Sequence, residues 1–359
     1  FFDFFVKPKK KIFCTNEAPR EPEVSHPPKK RKISVVSEKE IVENLLVEAV
    51  KNDDIRSVRD CIENRNADPQ HVLDLAVRTG NVEINSLLIE KGADVNKRVE
   101  GAVSRQDYAI ECAAAYGYVD VVELLIQNGS SLFTALHHAC RQNDKNPESR
   151  YLDTINTLIE NGVDVNSVNS RQRTSLHEAV LHGHVDTVNI LLQNGADLSA
   201  KDGMHWNAIH ELTRCPGIDA VDMANILLKN KNIAAMDARD RFGMTPFLMA
   251  CSQQKENIAR LLMLHGANVN AKTHKTALGY AFGNLVNHAD HSTASDKQEH
   301  LERLPFVRDL VCYGVKIDTN SMGRDINGFL WLVHLAMEKL RRSKRLGNND
   351  VLISPSERK

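Results

Sequence analysis

The chain has 359 residues with 46 Lys+Arg against 47 Asp+Glu, a formal net charge of −1, which excludes a polycation that holds nucleic acid by bulk charge and an acidic tail protein. Seven cysteines, odd in number and without a C-x-x-C pair, speak against a disulfide framework and for a reducing compartment. No apolar run approaches the length of a membrane span, and residues 1–6 are too short for a secretion signal, with Asp3 where a basic start is usual.

Residues 1–36 read as a tail. Proline, lysine and glutamate dominate, and neither helical nor strand period holds. Nine basic side chains face four acidic ones there, so the tail is cationic inside a neutral chain. The basic residues fall in two blocks, Lys9-Lys10-Lys11 and Lys29-Lys30-Arg31-Lys32. A proline-led basic run on an open backbone resembles a nuclear localisation signal, which would make an import carrier a partner. The plainer reading is a solvated tail.

From Ser37 the pattern becomes helical. Ser37 suits an N-cap, with Glu40 at capping-box spacing. Leu45, Leu46 and Ala49 then form one short helix, and Ile55, Val58 and Ile62 a second. The same pair returns with Val72, Leu73 and Ala76 before Gly80, followed by Val82, Leu87 and Leu88. A third copy carries Ile110 and Ala113 before Gly117, then Val121, Val122, Leu124 and Leu125. The fourth runs from Thr134 to Ala139, meets a polar insertion at 141–150, and resumes with Leu152, Ile155, Leu158 and Ile159.

The fifth copy is the clearest. Thr174 can cap a helix that sets Leu176, Ala179 and Val180 on one face, and Gly183 suits its left-handed end. Val185, Val188, Leu191 and Leu192 form the stripe of the second helix. Helices this short are marginal alone, so each pair must stack on copies of itself. A sixth copy follows from Asn207, with an inserted turn near Cys215, and a seventh from Thr245. An eighth starts at Thr276 and is interrupted by a polar stretch at about 284–302. A half-unit at 329–336 would cap the stack, and residues 347–359 fray.

Thr174-Ser175-Leu176-His177-Glu178-Ala179 with Gly195-Ala196-Asp197, and Thr245-Pro246-Phe247-Leu248-Met249-Ala250 with Gly266-Ala267-Asn268-Val269-Asn270, resemble the ankyrin consensus. The likeness spans about residues 37–336 at a period of about 33 residues. It implies an all-α solenoid of about eight helix-turn-helix-loop repeats with β-hairpin fingers, extending over 37–346. It also implies that His137, His177 and His210 bond backbone of the neighbouring unit, and that Asn96, Asn166 and Asn270 stabilise loops between repeats. Against that pattern the finger between the third and fourth repeats is mostly missing, since Gly129-Ser130-Ser131-Leu132 runs straight into Phe133-Thr134.

Chemistry is sparse. No G-x-S-x-G, Walker or dinucleotide fingerprint occurs, and neither catalysis nor a cofactor is expected. His288, Asp290 and His291 lack further ligands for a metal. Cys112, Cys140 and Cys251 sit in or beside the small-residue position of a helix and read as core. The family binds proteins with its finger tips and inner helix faces. Here the tips carry Arg171 and Arg173, Met204 and Trp206, Arg241, Phe242 and Met244, then Lys275: a basic and apolar row suited to an acidic, apolar protein surface or peptide. The rival reading is a ubiquitin-ligase adaptor. The stretch 332–337 resembles a degenerate SOCS box, with Ala336 in place of its cysteine and no proline-leucine pair after it. Nucleic-acid binding by the tail and the cations at 341–345 is a third and weaker class.

Overall fold

The computed structural model describes residues 37–97, 108–141, 149–215, 219–229 and 232–273, with scattered positions from 277 to 315. Outside the described residues lie both expected tails, Lys29, Lys30, Arg31, Lys32, Lys275, His288, Asp290, His291, the capping half-unit and the SOCS-like stretch. Among the described residues, seven helix pairs follow one another: α1 (Glu38–Lys51) with α2 (Ile55–Glu63), α3 (Leu73–Thr79) with α4 (Val82–Glu90), α5 (Ala109–Tyr116) with α6 (Val119–Gln127), α7 (Ala135–Arg141) with α8 (Ser149–Glu160), α9 (Ser175–His182) with α10 (Val185–Gln193), α11 (Ala208–Glu211) with α12 (Asp219–Lys229), and α14 (Pro246–Ser252) with α15 (Glu256–Leu264). A one-turn helix α13 (Ile233–Met236) precedes the last pair.

Contacts sort these helices into two layers. The first member of each pair packs on the first members of its neighbours, α1 on α3, α3 on α5, and so on to α11 on α14; the second members do the same from α2 to α15. Each repeat therefore buries its apolar stripe only against adjacent repeats, as a solenoid requires. Leu176, Ala179, Val188 and Leu191 are 0–1 % exposed, and so are Leu46, Val58, Leu136, Leu158 and Leu262. Leu45 differs: it is 43 % exposed on α1, whose outer side meets no other repeat among the described residues. The α5–α7 junction is built for close approach, because Ala109, Ala113, Ala114, Ala135 and Ala139 meet there and all are buried.

The repeats are also laced through their loops. Asn166 Nδ2 donates to the Gly195 carbonyl at 3.0 Å, and its Oδ1 accepts from Asp197 N–H at 2.8 Å. Asn96 does the same two junctions earlier, to Gly129 O at 3.0 Å and from Ser131 N–H at 2.9 Å. The third asparagine, Asn270, donates to Gly314 O at 3.3 Å. One side-chain amide thus satisfies a donor and an acceptor left over at the end of the next outer helix. The fingers are shorter than full hairpins. A bridge of strand type joins Val168 with Thr174, while the fingers at 202–206 and 240–244 are tight turns.

Removing the Asn166 amide takes away both hydrogen bonds between the two repeats at once. The Asn166→Ala chain should lose about 1–3 kcal/mol, seen as a lower thermal midpoint, while Asn128→Ala should change little because it serves only Leu124 O of its own helix.

Candidate partner interface on the finger row

Three fingers share one geometry. In each, an Asn or Asp opens the turn and its side chain accepts two backbone N–H groups further on. Asn169 Oδ1 takes Arg171 N–H at 2.9 Å and Arg173 N–H at 3.1 Å. Asp202 Oδ1 takes Met204 N–H at 2.8 Å and Trp206 N–H at 2.9 Å. Asp240 Oδ1 takes Phe242 and Met244 N–H, both at 2.8 Å. The residue three places after each opener is left-handed: Gln172 at φ 59°, His205 at 62° and Gly243 at 74°. Only the last is a glycine, so two fingers hold a side chain where backbone strain favours none.

The fingers are tied to one another and to the inner helices. Gly203 N–H donates to Arg171 O at 3.1 Å, and Arg241 N–H to Met204 O at 3.2 Å. From below, His177 Nε2–H donates to Trp206 O at 2.9 Å, while its Nδ1 accepts Thr174 N–H at 3.2 Å. His137 reaches Arg173 O at 3.0 Å, and His210 reaches Met244 O at 3.3 Å. A carbonyl on one side and, for His177 and His210, an N–H on the other require neutral imidazoles. Burial accordingly holds His137 and His177 below the usual histidine value and pushes His210 down to about 4.

These ties decide which tip residues face outward. Arg171, Met204, Arg241 and Phe242 are exposed, Met204 by 40 % and Phe242 by 70 %. The other row members turn inward. Arg173 has a side chain only 11 % exposed and meets Glu211 at 2.7 Å, Asp202 at 3.5 Å and Glu178 at 3.8 Å. Trp206 is half-buried, with its Nε1–H on Asp240 Oδ2 at 3.2 Å, its ring stacked on His210 and the Arg214 guanidinium 5.6 Å from its centre. Met244 is half-buried against the core. The sequence row therefore divides into an outer set and a set that joins neighbouring repeats.

Arg173 is one cation among three carboxylates, with Arg214 at 3.6 Å from Glu211 as a second, more exposed neighbour. Desolvation raises Glu211 to about 7 against the pull of both arginines. Three buried carboxylates beside one buried guanidinium favour keeping a proton on one of them.

Burial pushes the thiols of Cys140 and Cys251 far up, as core positions require. No cluster of three His, Cys, Asp or Glu suited to a metal occurs among the described residues, and no helix there is long and apolar enough to cross a membrane. A family model for ankyrin repeats matches the chain three times, at residues 33–132, 110–202 and 215–292. No curated protein matches it.

Histidines held neutral by the fold are stabilising above pH 6.5, and that stability is lost as pH falls toward the folded value, about 4 for His210. Glu211 works in the opposite sense: its fold-stabilised proton is lost as pH rises from about 4.5 through about 7. The two slopes offset each other. In Glu211→Gln the thermal midpoint should therefore rise with pH between 4.5 and 6.5 more steeply than in the wild type; an unchanged slope would show that Glu211 is ionised throughout.

Proposed function

From the premise that the chain belongs to the ankyrin-repeat family, whose arrays mediate protein–protein contacts, we propose that it is a non-catalytic scaffold that binds a protein through the finger row of repeats five to seven. The observation that carries this reading is the outward set itself. Arg171, Met204, Arg241 and Phe242 stand on adjacent fingers, each exposed and none needed for stacking. Exposed Met and Phe in a row with two exposed arginines form the kind of patch that a partner covers.

Both accessible charges in that set are positive, so the complement is a surface or peptide carrying carboxylates and apolar side chains. Trp206 supports the patch from beneath: the Asp240 and Arg214 contacts fix its indole between two fingers. The block Lys29, Lys30, Arg31 and Lys32 supports import into the nucleus as the address of the complex.

Affinity purification on residues 37–346 should recover a partner that binds the doubly substituted Arg241→Ala, Phe242→Ala chain about tenfold or more weakly. The thermal midpoint should not move, because both side chains are exposed. Retained affinity would remove this surface as the binding site. Trp206→Ala is the contrasting variant and should lower stability as well as binding.

A further inference from the structure

The shortened loop between the third and fourth repeats leaves a gap in the finger row. Twelve positions separate Gly162 from Thr174 and Gly195 from Asn207, but only five separate Gly129 from Thr134. Where a finger would stand there is a cleft of about 710 Å³. Phe133 lines it and is 65 % exposed, the second most exposed large apolar side chain described. Arg171, in the wall formed by the next finger, is shared with the outward set already described.

The charges that line the cleft differ in accessibility. Glu111 and Glu178 are 5 % and 4 % exposed and already engaged: Glu111 accepts Tyr108 N–H at 2.8 Å, and Glu178 faces Arg173 and accepts from Asn169 Nδ2 at 3.2 Å. Arg141 and Arg171 are exposed, and His138 is half-buried. A guest entering the cleft therefore meets cations and an aromatic ring, not the carboxylates.

The backbone adds a direction. In the next two gaps, the residue after the finger-opening Asp donates its N–H to the preceding finger, Gly203 to Arg171 O and Arg241 to Met204 O. Ser170 holds the same place after Asn169. It is exposed, it lines the cleft, and no backbone acceptor meets its N–H among the described residues.

We propose that this cleft is a docking site for an extended acidic segment of a partner protein, which takes the place of the missing finger. A guest carbonyl accepts from Ser170 N–H and so continues the finger ladder by strand addition. A guest carboxylate lies against Arg141 and Arg171, and a guest apolar side chain covers Phe133. The proposal rests on the scaffold reading above and extends its surface by two repeats toward the N-terminus.

A displayed library of random twelve-residue peptides, selected on the full chain, tests it. Enriched peptides should combine an acidic with an apolar residue and should bind Phe133→Ala or Arg141→Glu about tenfold more weakly. Both substituted side chains are exposed, so circular dichroism should be unchanged. The Ser170 amide should gain protection from hydrogen exchange when peptide binds. Enrichment of neutral or basic peptides, full binding to both variants, or an unchanged Ser170 amide would each overturn the proposal. Binding lost on Arg241→Ala, Phe242→Ala but not on the cleft variants would keep the finger row and eliminate the cleft. Self-association in sedimentation that Phe133→Ala abolishes would make a second copy of this chain the occupant and would also overturn it.

Discussion

The fingers stand because a buried, neutral imidazole from one repeat holds the last carbonyl of the finger leading to the next. His137, His177 and His210 repeat this contact at successive junctions. A loop of so few residues has almost no core of its own, and its backbone groups would otherwise compete with water. Three anchors replace that core: the imidazole beneath, the opening Asn or Asp within the loop, and the amide of the neighbouring finger. Remove the imidazole and the carbonyls of Arg173, Trp206 and Met244 lose their fixed place, and with it goes the orientation of every tip residue. At His177 and His210 the contact requires a proton on Nε2 and none on Nδ1, which accepts a backbone N–H, so the fold selects the uncharged ring; at His137 burial favours the same form.

The same junction shows what a solenoid does with charge. Arg173 reaches across from the finger of one repeat to Glu211 on the inner helix of the next, passing Glu178 and Asp202. A lone buried guanidinium would be strongly unfavourable, and so would three uncompensated carboxylates. Together they join repeats five and six through one buried side chain, with Glu211 holding its proton to higher pH than a solvated acid does. Ion pairs of this kind add little net stability, but they have only one good arrangement. Repeat five can then sit on repeat six in one register, a demand that interchangeable apolar stripes alone do not impose.

Much of the architecture was legible because its causes are local. The caps at Ser37, Asn207 and Thr245, the left-handed ends at Gly80, Gly117 and Gly183, and the stripes at i, i+3 and i+4 are written within a few residues. The asparagines at 96, 166 and 270 were marked by the resemblance to the ankyrin consensus, which implies their place in the loops between repeats. Finger orientation was not readable in the same way. Nothing in the string Arg171-Gln172-Arg173 says that the first arginine faces solvent and the second is ion-paired inside, since both differ from the opener by an even number of residues. The partners of Arg173 lie on α9, the next finger and α11, and those of Trp206 on α11, the turn after it and the next finger. Gln172 and His205 hid the left-handed position, which glycine usually marks. The missing finger was visible as a deletion, but a deletion in sequence does not reveal what it uncovers.

Once the anchors are known, the fingers follow a positional rule. The opener's carboxylate or amide draws in the backbone two and four places on. The fourth place has its carbonyl held by histidine, so its side chain runs along the seam between repeats: Arg173, Trp206, Met244. The second place has its carbonyl turned sideways to the next finger at Arg171 and Met204, and its side chain stands free in all three: Arg171, Met204, Phe242. Substitution at the fourth place therefore alters how repeats join, and substitution at the second place alters only what the array meets. Selection for a partner can act on the second place of each finger almost independently of stability, because stacking, capping and the histidine clamp all use other atoms. Arginine, methionine and phenylalanine therefore occupy the places in these fingers that stacking, capping and the histidine clamp constrain least.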